Sequence, residues 1–147
     1  MSRPRLSPAA LAVLGAALDF FLFLAYATPY SPVDDLQWGM EEGLRWWLGG
    51  LLNGRYVGNF FAVIMCRSSV IKTLLMGLGM FALPLLMVLA AGWGGTLSLL
   101  PGFCFCCAGL LLMPSQTWKE TYCWVCGFGN YVISILFFLG WLLLILR

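Results

Sequence analysis

From residue 9 to residue 28 the chain runs apolar for about the length that crosses a bilayer as one helix, with a single charged side chain, Asp19, near its middle. Inside hydrocarbon the backbone has no water to bond with, so only helices and closed barrels satisfy it. Three further runs have the same character, at 73–91, 96–113 and 131–146. With 62% hydrophobic and 10% charged residues in a chain of 147, the sequence reads as an all-α, polytopic membrane protein. It forms a single membrane domain over 1–147 with about four transmembrane helices. Asp19 costs a few kcal/mol at that depth, so it calls for a hydrogen-bonding partner on a neighbouring helix or a role in a pathway.

Arg3 and Arg5 precede the first span and place the N-terminus in the cytoplasm. Ala25-Tyr26-Ala27 also fits a small-residue cleavage site after a charged segment, although the apolar run is long for a signal peptide. A net charge of +2 with scattered basic residues gives no footprint for nucleic acid. There is no histidine, which removes the usual general base and the commonest zinc ligand together and leaves acid–base work to carboxylates.

The two polar segments, about 29–72 and 114–130, are expected to lie outside the membrane on one face. The first holds most of the reactive groups: Asp34 and Asp35 side by side, then Glu41, Glu42, Arg45 and Arg55. Ser31, Pro32 and Asp34 fit a helix N-cap, a proline at N1 and an acid at N3. From there Leu36, Met40, Leu44, Trp47, Leu48 and Leu51 recur at three- and four-residue steps, opposite Gln37, Glu41 and Arg45. This pattern predicts an amphipathic helix in the interface with Trp46 and Trp47 at headgroup depth and a Glu41–Arg45 pair along it. The piece 56–66 is apolar but too short to span. Either 48–66 crosses and carries Arg67 and Lys72 to the cytoplasm, or it is a surface or re-entrant helix. Four spans with both polar segments outside follow from the second choice, and the positive-inside rule applied to Arg67 and Lys72 pulls towards the first. The turn Gly92-Trp93-Gly94-Gly95 separates the second and third of the four long runs, and Pro84 kinks the second.

Acids at a helix N-terminus are favoured by capping and the dipole alone, and one meets that need. At the second acid the chain resembles a known family. The order runs basic N-terminus, span, Asp34-Asp35, tryptophan-bearing helix, Asn53-Gly54-Arg55-Tyr56, then Glu120-Thr121-Tyr122-Cys123-Trp124 and Gly127-Phe128-Gly129-Asn130-Tyr131. It is similar to the N-terminal part of bacterial multi-pass membrane glycosyltransferases of the GT-C type, found in the inner membrane. The resemblance implies transfer of a sugar from a polyprenyl-phosphate carrier to an extracytoplasmic acceptor. Asp34 or Asp35 would be the general base and the ligand of a divalent metal ion where one is used. Arg55, with Tyr56, would meet the carrier phosphate. Glu120, Trp124, Asn130 and Tyr131 would approach the sugar, Trp124 by stacking. The chain covers about a third of such an enzyme, so a second membrane chain completing the fold is an expected partner, beside the bilayer and the lipid-linked donor.

Two other readings stay open. Cys123-Trp124-Val125-Cys126 has the spacing of dithiol oxidoreductases, which need a second cysteine pair that the first loop does not supply. It is also poor for zinc, which wants four ligands. Cys104, Cys106 and Cys107 lie in an apolar run and read as packing. In a non-catalytic scaffold the loops would bind a partner, and Trp38, Trp46, Trp47, Trp118 and Trp124 would be belt anchors.

Overall fold

The computed structural model describes residues 6–50, 55–92 and 96–146. The expectations that fall on Arg3, Arg5, Leu51, Asn53, Gly54, the Trp93-Gly94-Gly95 turn and Arg147 lie outside the described residues. Among those described, every regular element is helical, as the apolar runs require. Helix α1 spans Pro8–Ala27, α5 Ser69–Ala90 and α6 Thr96–Leu111, and α8 runs Val125–Ile145. The shorter helices are α2 (Asp34–Gly39), α3 (Glu41–Gly49), α4 (Tyr56–Arg67) and α7 (Ser115–Thr121).

Helices α1, α5 and α8 are each long and apolar enough to cross a membrane. Counting α6 together with α7, which bends away from it by 99°, brings the number to four. Phe23, Phe105, Leu112, Phe137 and Leu144 are exposed on the outer faces. An apolar surface of that extent is what lipid covers in a membrane protein. The buried cluster lies inside, where Phe21 and Ala25 of α1 meet Met76, Met80 and Leu83 of α5, Met65 of α4 and Phe128, Val132 and Ile133 of α8. Asp19 faces outward from α1, and among the described residues no hydrogen bond or ion pair reaches it.

Several boundaries differ from the sequence expectation. The final span starts at Val125 rather than Tyr131, because the N–H groups at its first turn find a carboxylate to cap them. The second span begins at Ser69, capped by Ser68 Oγ accepting from Ile71 N–H. Lys72 therefore sits inside the helix and not in the loop. The single interfacial helix is two: Met40 is extended (φ −83°, ψ 169°) between α2 and α3, and Gly43 packs where a Cβ would stand 2.6 Å from the Cα of Trp38. The expected cap shifts as well, since α2 starts after Val33, which gives no side-chain cap. Glu41 pairs not with Arg45 but with Arg67, at 3.3 Å. Leu36, Met40 and Leu48 are exposed, an apolar strip suited to the headgroup boundary.

Helix α4, of 12 residues, does not reach across. It turns back sharply at Ser68 (φ −143°, ψ 116°) and lies against α5 and the start of α8. The contact to α8 depends on small residues. A Cβ on Gly58 would stand 2.9 Å from the Cα of Asn130, and one on Gly129 3.1 Å from the carbonyl oxygen of Gly58. Residues Phe128–Val132, the Phe-Gly-Asn-Tyr motif itself, form a π-helical turn within α8. Such one-turn bulges shift side chains off the helical register and recur at functional sites. Gly58→Ala is expected to push α4 off α8 and cost about 1–3 kcal/mol, read as a lower unfolding midpoint in detergent; an unchanged midpoint would refute this packing.

Candidate functional site

The site lies where the ends of α1, α5 and α8 come together. Asp34 and Asp35 are neighbours on α2 and so point about 100° apart around its axis. Asp35 turns inward and is 1% exposed. Its Oδ2 accepts from the N–H of Ser31 at 2.7 Å and of Val125 at 3.3 Å, and its Oδ1 accepts from the N–H of Cys126 at 3.0 Å. The carboxylate thus caps the first turn of α8 from 90 residues away, where an anion also meets the positive end of the helix dipole. This contact brings the two polar segments to the same end of the bundle.

Lys72 stands beside it. It is 4% exposed, donates to the carbonyl of Thr28 and lies 4.8 Å from the centre of the Tyr30 ring. The charges of Asp35 and Cys66 act on it, so the buried anion has a buried cation within its field, as burial of charge requires. Tyr30 donates from its hydroxyl to the carbonyl of Met65 at 3.0 Å. Burial, then the charges of Cys66 and Asp35, push its phenol above the usual tyrosine value. Burial alone pushes Tyr122, stacked on Trp118 at 4.6 Å, up to about 12.

Asp34 turns the other way. It is half-buried and lines a cleft of about 480 Å³ between the two segments, with Tyr30, Ser31, Lys119, Cys123 and Trp124. The Trp124 indole Nε1 is buried and has no hydrogen-bond partner among the described residues. Such a donor is costly to leave unsatisfied.

The remaining expected site residues do not join this cleft. Arg55, Tyr56 and Asn130 line a second cavity of about 300 Å³ with Gly58 and Ser134. Arg55 lies over the Tyr131 ring at 5.7 Å, and Asn130 donates from Nδ2 to the carbonyl of Cys126 at 2.9 Å while its Oδ1 is buried without a partner among the described residues. Glu120 is exposed and accepts from the Gln116 amide at 2.6 Å. The acid pair is likewise divided, with Asp34 in the cleft and Asp35 behind it. The Trp47 indole donates to the Tyr56 carbonyl at 3.0 Å.

A divalent cation of the magnesium type takes one or two carboxylates and completes its shell with waters and phosphate oxygens, and of the two acids it is Asp34 that lines the cleft. Asp35 has both oxygens engaged by N–H groups, and Asp34 shares its cleft with Lys119. Another donor set was not foreseen. The Cys66 and Cys126 sulfurs are 3.8 Å apart, and they and an Asp35 oxygen lie within 4.8 Å of one another. Three donors are one short of a closed zinc site, and the ammonium of Lys72 is close by. The CxxC spacing drew attention to Cys123, but Cys126 enters α8 and faces Cys66 instead. The signal available in the sequence was Cys66 at the end of the short apolar piece, directly before Arg67.

No protein-family model, curated protein or solved structure matches this chain.

Proposed function

We propose that the cleft between the two polar segments is the acceptor side of a glycosyl-transfer site, working on a sugar carried by a polyprenyl phosphate. The observation that carries this reading is the grouping of Asp34, Lys119 and Trp124 around one cavity. A carboxylate, a cation and an aromatic face are the three groups this reaction asks for. Asp34 accepts the proton of the acceptor hydroxyl as its oxygen attacks the anomeric carbon. The bond from that carbon to the phosphate oxygen breaks, and the polyprenyl phosphate leaves with its negative charge held by Lys119. Trp124 stacks on the sugar. Asp35 does not react in this scheme; it holds α2 against α8 so that Asp34 and Trp124 face each other.

The second cavity, with Arg55 and Asn130, would take a more distant part of the donor. The compartment follows from the resemblance and from Arg3 and Arg5: a bacterial cytoplasmic membrane, N-terminus inside, cleft outside. A second membrane chain would supply the rest of the fold.

The test uses membranes from cells carrying the gene in its native context and a synthetic polyprenyl-phosphate sugar. Trp124→Ala removes the stacking face, and is expected to raise the KM for donor about fivefold. Lys119→Ala is expected to lower kcat/KM by about ten- to a hundredfold. If both variants transfer sugar as the parent does, the cleft is not the site of transfer, and a partner-binding scaffold becomes the better account.

A further inference from the structure

We propose that Cys66 and Cys126 form a redox-active pair that closes to a disulfide by exchange with an external disulfide, locking the first polar segment to the start of α8. It stands on a different observation from the glycosyl-transfer reading and holds whichever way that reading falls.

The two residues are 60 positions apart, on the last turn of α4 and the first turn of α8, yet their sulfurs are at 3.8 Å. A disulfide needs about 2.05 Å. The remaining approach is of the size that side-chain rotation at two cysteines supplies. The thiols differ in access, Cys66 being half-buried and Cys126 buried. They also differ in what surrounds them. Cys66 closes α4 beside Arg67 and is the more accessible of the two, so it is the sulfur an external disulfide meets first. Cys126 is held in place by its own backbone, whose N–H donates to Asp35 Oδ1 at 3.0 Å.

The order of steps follows from those differences. The Cys66 thiolate attacks a disulfide of glutathione type, forming a mixed disulfide and releasing one thiol. The Cys126 sulfur then attacks the Cys66 sulfur, the mixed disulfide breaks, and the Cys126 proton leaves on the second thiol. One sulfur–sulfur bond forms in the protein as one breaks in the oxidant, which takes the two electrons and both protons. Cys123 is not the partner. It lies in the cleft wall, before the turn that carries Cys126 into α8. The link would close a loop containing α5, α6 and α7 and fix α4 against the turn of α8 that carries Asn130.

The test is disulfide mapping on the full chain purified in detergent. After incubation with oxidised glutathione, acid quenching, alkylation and digestion, the expected product is one peptide pair joining Cys66 to Cys126. Cys104, Cys106, Cys107 and Cys123 stay alkylated. The pair should persist in Cys123→Ser and vanish in Cys126→Ser, and mapping the parent protein decides the matter even where a variant folds poorly. A Cys123–Cys126 link, or full alkylation of Cys66 and Cys126 after oxidation, would overturn the proposal. So would stoichiometric zinc in the purified chain that shields both thiols from alkylation.

Discussion

Asp35→Ala is expected to cost about 3–5 kcal/mol, the range seen when one partner of a buried charged cluster is removed. Against a total stability of about 5–15 kcal/mol for a typical domain, that loss shows as poor yield and a much lower unfolding midpoint in detergent. The cause is specific. The truncated side chain leaves the N–H groups of Ser31, Val125 and Cys126 without their acceptor in a buried place, each worth about 1–3 kcal/mol when unsatisfied, although such terms do not simply add. It also leaves the buried Lys72 ammonium without its nearby anion. Asp35→Asn should fall between the two, since the amide can still accept through its oxygen but turns an NH2 towards one of the donors. An Asp35→Ala protein with the parent's midpoint would show that the two segments are held together by something else.

Asp34→Asn is expected to do the opposite: leave folding within about 0.5 kcal/mol of the parent and lower sugar transfer by about 10²–10⁴-fold. The side chain is half-buried, lines the cleft and keeps its shape on substitution, so little packing is at stake. What disappears is the group that accepts the hydroxyl proton. The measurement is transfer from a polyprenyl-phosphate sugar in native-context membranes, normalised to protein level. Full activity in Asp34→Asn would remove the proposed base and with it the mechanism. Taken together, the neighbouring substitutions separate a structural acid from a reacting one, which neither does alone.

That division of labour was not visible in the adjacent letters of the sequence. Two aspartates in a row look equivalent until a helix turns them about 100° apart and the rest of the chain decides which direction is the interior. The same holds for Cys126. Its neighbour in sequence is Cys123, three residues away, but its neighbour in space is Cys66, brought in by the turn at Ser68 and the glycine contact of α4 with the π-helical turn of α8. Lys72 looked like a loop cation because positive charge is rare within a span; it is buried because Thr28, Tyr30 and Asp35 surround its end of α5. The Glu41–Arg45 pair failed for a related reason. Spacing four apart permits a pair, but Arg67 from another helix reaches Glu41, and exposed pairs are too weak to resist such competition.

What the sequence by itself determined is the membrane character, the all-helical fold and the approximate position of four apolar helices. These depend on hydrophobic length and backbone self-satisfaction, which are properties of each segment alone. Only the tertiary structure decided where α8 begins, which aspartate faces the cleft and which cysteines meet. Those outcomes are set by hydrogen-bond acceptors and close packing contributed by residues tens of positions away, and a local pattern carries no information about a partner it does not contain.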